Sequence, residues 1–138
     1  MKNITLYRPV GLKELELIIE NDFKAFPPRL DWQPIFYPVM NEDYAIEIAL
    51  KWNTIDEFSG YCGFVTAFVM SSDFIEKYEV QNVGNKIHNE LWVPSKELEE
   101  FNKNIQDKIY VTKTFLGKQF VPKVTSVVDG IIKRTEIK

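Results

Sequence analysis

Three side chains capable of chemistry alternate within one short stretch, Lys86-Ile87-His88-Asn89-Glu90-Leu91-Trp92-Val93-Pro94. Successive side chains of a strand point to opposite faces, so His88, Glu90 and Trp92 share one side while Ile87, Asn89, Leu91 and Val93 share the other. The first face sets a carboxylate beside the chain's single histidine and an indole. It offers either a site or a hydrogen-bonded surface pair, and the second face is the candidate core.

Several chemistries are excluded by what the rest of the chain lacks. A serine or cysteine hydrolase needs a histidine base served by a nucleophile elbow, and no Gly-x-Ser-x-Gly occurs. His88 and Glu90 supply only two metal ligands and no second cluster completes a set, so no metal is expected. Neither Gly-x-Gly-x-x-Gly nor a Walker-type Gly…Gly-Lys-Ser/Thr is present, which argues against classical dehydrogenases and P-loop enzymes. The lone Cys62 cannot form an internal disulfide and reads as a small packed residue at a strand entrance. What survives is a constellation drawn from separated strands: Arg8 closing the first, Tyr37 in the second and Glu90 in a later one.

The elements that must position these residues follow from hydrophobic spacing. Ile4 to Arg8 alternates as a strand that stops at Pro9-Val10-Gly11, and Leu12, Leu15, Ile18 and Ile19 mark an amphipathic helix to about Asp22. Phe23 to Pro34 carries three prolines and predicts a stiff, extended loop holding Phe26, Arg29 and Trp32. Ile35 to Val39 reads as a strand, Asn41 as the cap of a helix from Glu42 to Trp52, and Tyr61 to Met70 as a central apolar strand. Ser71-Ser72-Asp73 opens a short helical turn, and Gly84-Asn85 suits a hairpin or bulge ahead of the His88 stretch. Ser95 caps a helix to about Asn104, and Lys108 to Leu116 alternates again. Asp129-Gly130 is a pair favoured in type I′ turns and predicts a C-terminal β-hairpin, with Val128 opposite Ile131 and Lys123 opposite Glu136.

The expected class is therefore α+β, with mostly antiparallel sheets, flanking helices and a terminal hairpin over 120–138. A length of 138 residues with 45% hydrophobic and 14% aromatic content fits one domain, 1–138. With 17 basic and 20 acidic side chains the net charge is −3, and nucleic acid is not indicated as a partner. No run approaches the ~20 apolar residues of a membrane span and Met1-Lys2-Asn3 is unlike a secretory signal, so no membrane partner and a cytoplasmic location are expected.

Longer runs carry a resemblance. Leu6-Tyr7-Arg8-Pro9-Val10-Gly11, Phe26-Pro27-Pro28-Arg29-Leu30, Gln33-Pro34-Ile35-Phe36-Tyr37-Pro38-Val39 and His88-Asn89-Glu90-Leu91-Trp92-Val93-Pro94 are similar to a small bacterial family labelled ADP-ribosylation/crystallin, over about Ile4 to Ile105. The order of elements resembles the ADP-ribosyltransferase fold, with an Arg or His ending the first strand, a Ser/Thr or Tyr motif before a helix and a late strand carrying Glu. The resemblance implies NAD as a substrate, Arg8 on its phosphates or ribose, Tyr37 stacked on nicotinamide and Glu90 as the catalytic carboxylate. Tyr44, one turn into the next helix, is the alternative to Tyr37. His88 stands where many such transferases carry Gln or Glu, and Arg29 is a further candidate anion clamp. A carboxylate near the ribose stabilises the positive charge of glycosidic cleavage, and an arginine fork matches a pyrophosphate. The partners implied are NAD and a macromolecular acceptor. The competing reading is a catalytically silent module of the same fold that holds a protein partner.

Overall fold

A computed structural model describes residues 2–138. The chain runs β1 (Asn3–Val10), α1 (Leu12–Glu20), β2 (Ile35–Phe36), α2 (Glu42–Lys51), β3 (Cys62–Ser71), α3 (Ser72–Ile75), β4 (Val80–Asn82), β5 (Asn89–Leu91), β6 (Val93–Pro94), α4 (Leu98–Lys103), β7 (Ile105–Leu116) and α5 (Ser126–Thr135). It is mixed α+β and every strand pair is antiparallel.

The main sheet has the order β1-β3-β7, with β3 in the middle. Phe64, Val65, Thr66, Ala67 and Phe68 of β3 are buried in succession, because both faces of that strand are covered. One face meets α1, α5 and a cluster of rings in which Phe26 and Phe68 lie 4.9 Å apart and Phe36 and Phe101 5.5 Å apart. These tilted and edge-on contacts add to the burial of four phenylalanines that are at most 1% exposed. The other face takes α2 through Ala45 and Ala49, packed on Val39, Val65 and Phe115. Gly63 permits this approach, since a Cβ there would stand 2.8 Å from the Ala49 Cβ. Asn41 caps α2 as its type suggests, its side-chain oxygen accepting from the Tyr44 N–H at 2.8 Å.

Two small strand pairs, β2 with β6 and β4 with β5, lie beside the main sheet, and Val39 bridges β1 of that sheet to β5. Val39 exchanges both backbone hydrogen bonds with Tyr7, at 3.0 and 2.8 Å, while Leu91 N–H donates to Pro38 and Met40 N–H to Asn89, each at 2.9 Å. Tyr7, Val39 and Glu90 thus form one row across the molecule. The expected strand over 35–39 is accordingly regular only at Ile35–Phe36, and the strand around Glu90 is broken at Trp92 into β5 and β6.

The C-terminal hairpin is corrected. Ser126–Thr135 is helix α5, with Asp129 and Gly130 inside it, and among the described residues no ion pair joins Lys123 to Glu136. A hairpin would send Ile131 and Ile132 to opposite faces, whereas a helix brings Val128, Ile131 and Ile132 onto one side, where all three are buried in the main core. Local chemistry agrees: the Thr125 hydroxyl accepts from the Val128 N–H at 3.2 Å, Asp129 pairs with Lys133 at 3.0 Å, and Thr135 Oγ1 meets Thr114 Oγ1 of β7 at 2.7 Å. Within 120–138, Val128, Ile131 and Ile132 thus enter the main core, and Phe120 and Val124 pack against it. No helix among the described residues is long and apolar enough to cross a membrane.

Candidate functional site

A cleft of about 730 Å³ opens where the end of β1, the proline loop and β5 meet. Its walls include Arg8, Arg29, Tyr37, Glu90 and Trp92. Four of the residues singled out in the sequence, Arg8, Arg29, Tyr37 and Glu90, are thus brought together from positions up to 82 apart by the Tyr7, Val39 and Glu90 row. The volume lies within the range of ordinary small-molecule sites.

Arg8 shares a strand face with Leu6 and Val10 and is 8% exposed, yet it ends the strand where the cleft begins. Its guanidinium is bound by Glu14 through two hydrogen bonds, Nε to Oε2 at 2.7 Å and Nη2 to Oε1 at 2.9 Å. It lies 4.6 Å from the centre of the Phe36 ring, and Nη1 donates to the Tyr37 carbonyl at 3.4 Å. This fork-to-fork pair neutralises Arg8 internally. Glu14 escaped the sequence reading; the signal was a carboxylate in the first turn of α1, six residues after Arg8 and just beyond the Pro9-Val10-Gly11 corner.

Arg29 is the contrasting charge. Its Nε donates to the Ile35 carbonyl at 3.0 Å, and among the described residues it has no carboxylate within ion-pairing distance. Burial, followed by the nearby Arg8, pushes its pKa down, with Glu14 and Tyr37 opposing by a smaller amount. The loop carrying it is fixed at Phe26, whose backbone N–H and C=O both bond the Asn102 side chain, at 2.9 and 3.0 Å.

Glu90 is 9% exposed, and each of its carboxylate oxygens accepts one hydrogen bond. The Trp92 indole donates to Oε1 at 2.8 Å and the Tyr44 hydroxyl to Oε2 at 3.1 Å. No cationic side chain among the described residues pairs with it. Tyr44 does not line the cleft; it supports Glu90 from behind, and burial together with the Glu90 charge pushes its pKa up to about 12. His88 lies off the cleft walls as well. Its ring packs 4.7 Å from Tyr44, Nδ1 accepts from the Asn85 N–H at 3.1 Å, and Nε2 meets Glu47 at 3.1 Å. With Nδ1 accepting, Nε2 is the ring nitrogen free to donate to Glu47. The partner of His88 is thus Glu47 of α2 and not the strand neighbour Glu90, because the regular pleat begins only at Asn89.

Glu90, Leu91, Trp92 and Val93 keep the expected alternation: Leu91 and Val93 are fully buried while Glu90 and Trp92 face the cleft. The mouth is aromatic, with Tyr37 39%, Trp52 60%, Trp92 44% and Phe58 93% exposed. The floor near Asn53 is polar: Asn53 Nδ2 donates to Ser59 Oγ at 2.9 Å, Ser59 Oγ to Asp56 at 2.6 Å, and Asn53 Oδ1 is a buried acceptor without a partner. Trp32 of the proline loop is 75% exposed and is not among the cleft residues. Comparison with protein-family models, with curated proteins and with solved structures finds no match. Among the described residues no group of three or more His, Cys, Asp or Glu side chains is placed to hold a metal ion.

Proposed function

We propose that the chain is an ADP-ribosyltransferase-like domain that binds NAD in this cleft and cleaves the bond between nicotinamide and ribose, transferring ADP-ribose to a macromolecular acceptor. The observation that carries the reading is the convergence of Arg8 from β1, Tyr37 after β2 and Glu90 from β5 on one cleft, with Arg29 beside them. NAD carries a cationic pyridinium and an anionic pyrophosphate, and the cleft offers a carboxylate and a guanidinium that among the described residues are in no ion pair. In this assignment Arg29 meets the phosphates, since Arg8 is already bound by Glu14 and serves to shape the wall. Tyr37 covers the nicotinamide ring. Glu90 stabilises the ribosyl cation as the C–N bond breaks, nicotinamide leaves with the bonding pair, and an acceptor nucleophile forms the new bond at the same carbon while losing its proton.

Nicotinamide release from NAD by the full chain tests this directly, with and without candidate acceptor proteins. Glu90→Gln should abolish release while leaving the thermal midpoint near that of the parent. Absence of both nicotinamide release and any NAD-induced thermal shift at millimolar NAD overturns the reading.

The aromatic mouth favours a second reading, a binding module without catalysis. Trp52, Phe58 and Trp92 present large apolar surfaces of the kind that anchor partners. That module would show partner binding weakened by Phe58→Ala and unaffected by Glu90→Gln.

A further inference from the structure

Charge is segregated along the chain. Residues 1–107 hold 18 acidic and ten basic side chains, whereas 108–138 hold seven basic and two acidic, so a net −8 precedes a net +5. Along β7 the cations are matched, Lys108 by Asp22 at 3.1 Å and Lys113 by Glu42 at 3.0 Å. Beyond β7 only Lys133 is paired, with Asp129 of its own helix. Lys118, Lys123, Arg134 and Lys138 are exposed, and among the described residues none of them is in an ion pair.

The fold holds these cations outward on an anchored segment. Phe120, Val124, Val128, Ile131 and Ile132 fix it to the core. The Ile137 N–H donates to the Thr114 carbonyl at 2.9 Å, so Lys138 lies beside the strand end from which the chain runs on to Lys118. On α5, Val127, Gly130 and Arg134 share one side, and a Cβ on Gly130 would stand 3.3 Å from Arg134 Nη1, which sets that guanidinium back over the helix. Val121, Val127 and Ile137 are exposed among the cations.

We infer that the surface of 117–138 is a docking face for an acidic protein segment carrying aliphatic side chains. Cations in no ion pair attract a polyanion over a Debye length of about 8 Å at physiological salt. The neighbouring side chains select its class. Phe120, the only aromatic residue of the segment, packs against the core and leaves no free ring on which a nucleic-acid base could stack. The apolar side of α5 is taken by the core as well, and is closed to a bilayer. An acidic segment with aliphatic residues meets both features, with carboxylates on the cations and apolar groups on Val121, Val127 and Ile137.

The test titrates the full chain at about 0.15 M salt with a synthetic peptide of repeated Glu-Glu-Leu-Val units, following backbone amide resonances. Saturable binding should shift amides within 117–138 and leave those around Glu90 in place. Lys118→Gln, Lys123→Gln, Arg134→Gln and Lys138→Gln combined should weaken the peptide by about tenfold or more. The matched control, Lys2→Gln, Lys77→Gln, Lys86→Gln and Lys96→Gln combined, removes as many exposed charges elsewhere and should leave the affinity nearly unchanged. Thermal unfolding confirms that each variant is folded. No saturation at millimolar peptide, equal weakening by the two combinations, or tighter binding of a single-stranded oligonucleotide or of phosphatidylglycerol vesicles than of the peptide overturns the inference. Weakening by Phe58→Ala overturns it too, because the peptide would then sit at the cleft mouth.

Discussion

Replacing Gly130 by alanine separates helix α5 from the β-hairpin that Asp129-Gly130 suggests, because the two structures demand opposite signs. In α5 Gly130 is an interior helical residue, and among the described glycines only Gly60 has positive φ, at 73°. A Cβ on Gly130 would meet nothing nearer than the Arg134 Nη1 atom, at 3.3 Å, the far end of an exposed side chain that can swing aside. Alanine there restricts the unfolded chain and has the higher helix propensity, a gain of about 1 kcal/mol. For a domain of this size that corresponds to a rise of roughly 3 °C in the thermal midpoint. In a type I′ turn the same residue would need positive φ, and alanine would cost about 1 kcal/mol. Gly60→Ala is the matched control, since its φ of 73° makes the substitution destabilising in this fold. Thermal unfolding followed by far-UV circular dichroism reads both variants. A lower midpoint for Gly130→Ala would refute the helical assignment.

Glu14→Ala leaves the guanidinium of Arg8, only 10% exposed, without its carboxylate and should destabilise by about 2–3 kcal/mol in urea unfolding, while Arg8→Met with Glu14→Leu should recover most of that loss; additivity of the single changes would refute the pairing. Burial pushes the Cys62 thiol up to about 12, so the folded chain should resist thiol reagents at neutral pH and react fully once unfolded, and rapid labelling of the native state would contradict its packing. Tyr44 binds its proton more tightly folded than unfolded, with a pKa raised from 10.0 to about 12. The stability it contributes is therefore complete below pH 10 and is lost as pH rises toward 12. Tyr7 and Tyr78 are raised as well, so spectrophotometric titration should show fewer tyrosinates near pH 10 than the chain's six tyrosines, with Tyr44→Phe leaving that amplitude unaltered, and ionisation of Tyr44 together with exposed tyrosines would contradict its bond to Glu90.

Much of the scaffold was legible because burial on one face leaves a period in the sequence. Leu12, Leu15, Ile18 and Ile19 mark α1, Asn41 caps α2, and the unbroken apolar run from Cys62 marks the central strand β3. Leu91 and Val93 against Glu90 and Trp92 gave the two sides of the site strand. The local code failed where two periods fit the same letters. Val128-Asp129-Gly130-Ile131-Ile132 satisfies a turn by pair preference and a helix by spacing, and the choice falls to the helix because only it buries both isoleucines.

By itself the sequence determined which residues carry charge and aromatic surface, most of the helical and extended segments ahead of the C-terminal one, and which classes of motif are absent. The tertiary structure decided which charges are compensated. Arg8 and Glu14 meet across the corner between β1 and α1 and cancel, whereas Arg29 and Glu90 reach the same cleft unpaired. It also turned His88 away toward Glu47 and set Tyr44 and Trp92 on the two oxygens of Glu90. The physical reason is range: backbone propensity and side-chain alternation act within a few residues, while ion pairing and burial depend on contacts such as Val39 to Tyr7 and Glu90, which join segments far apart along the chain.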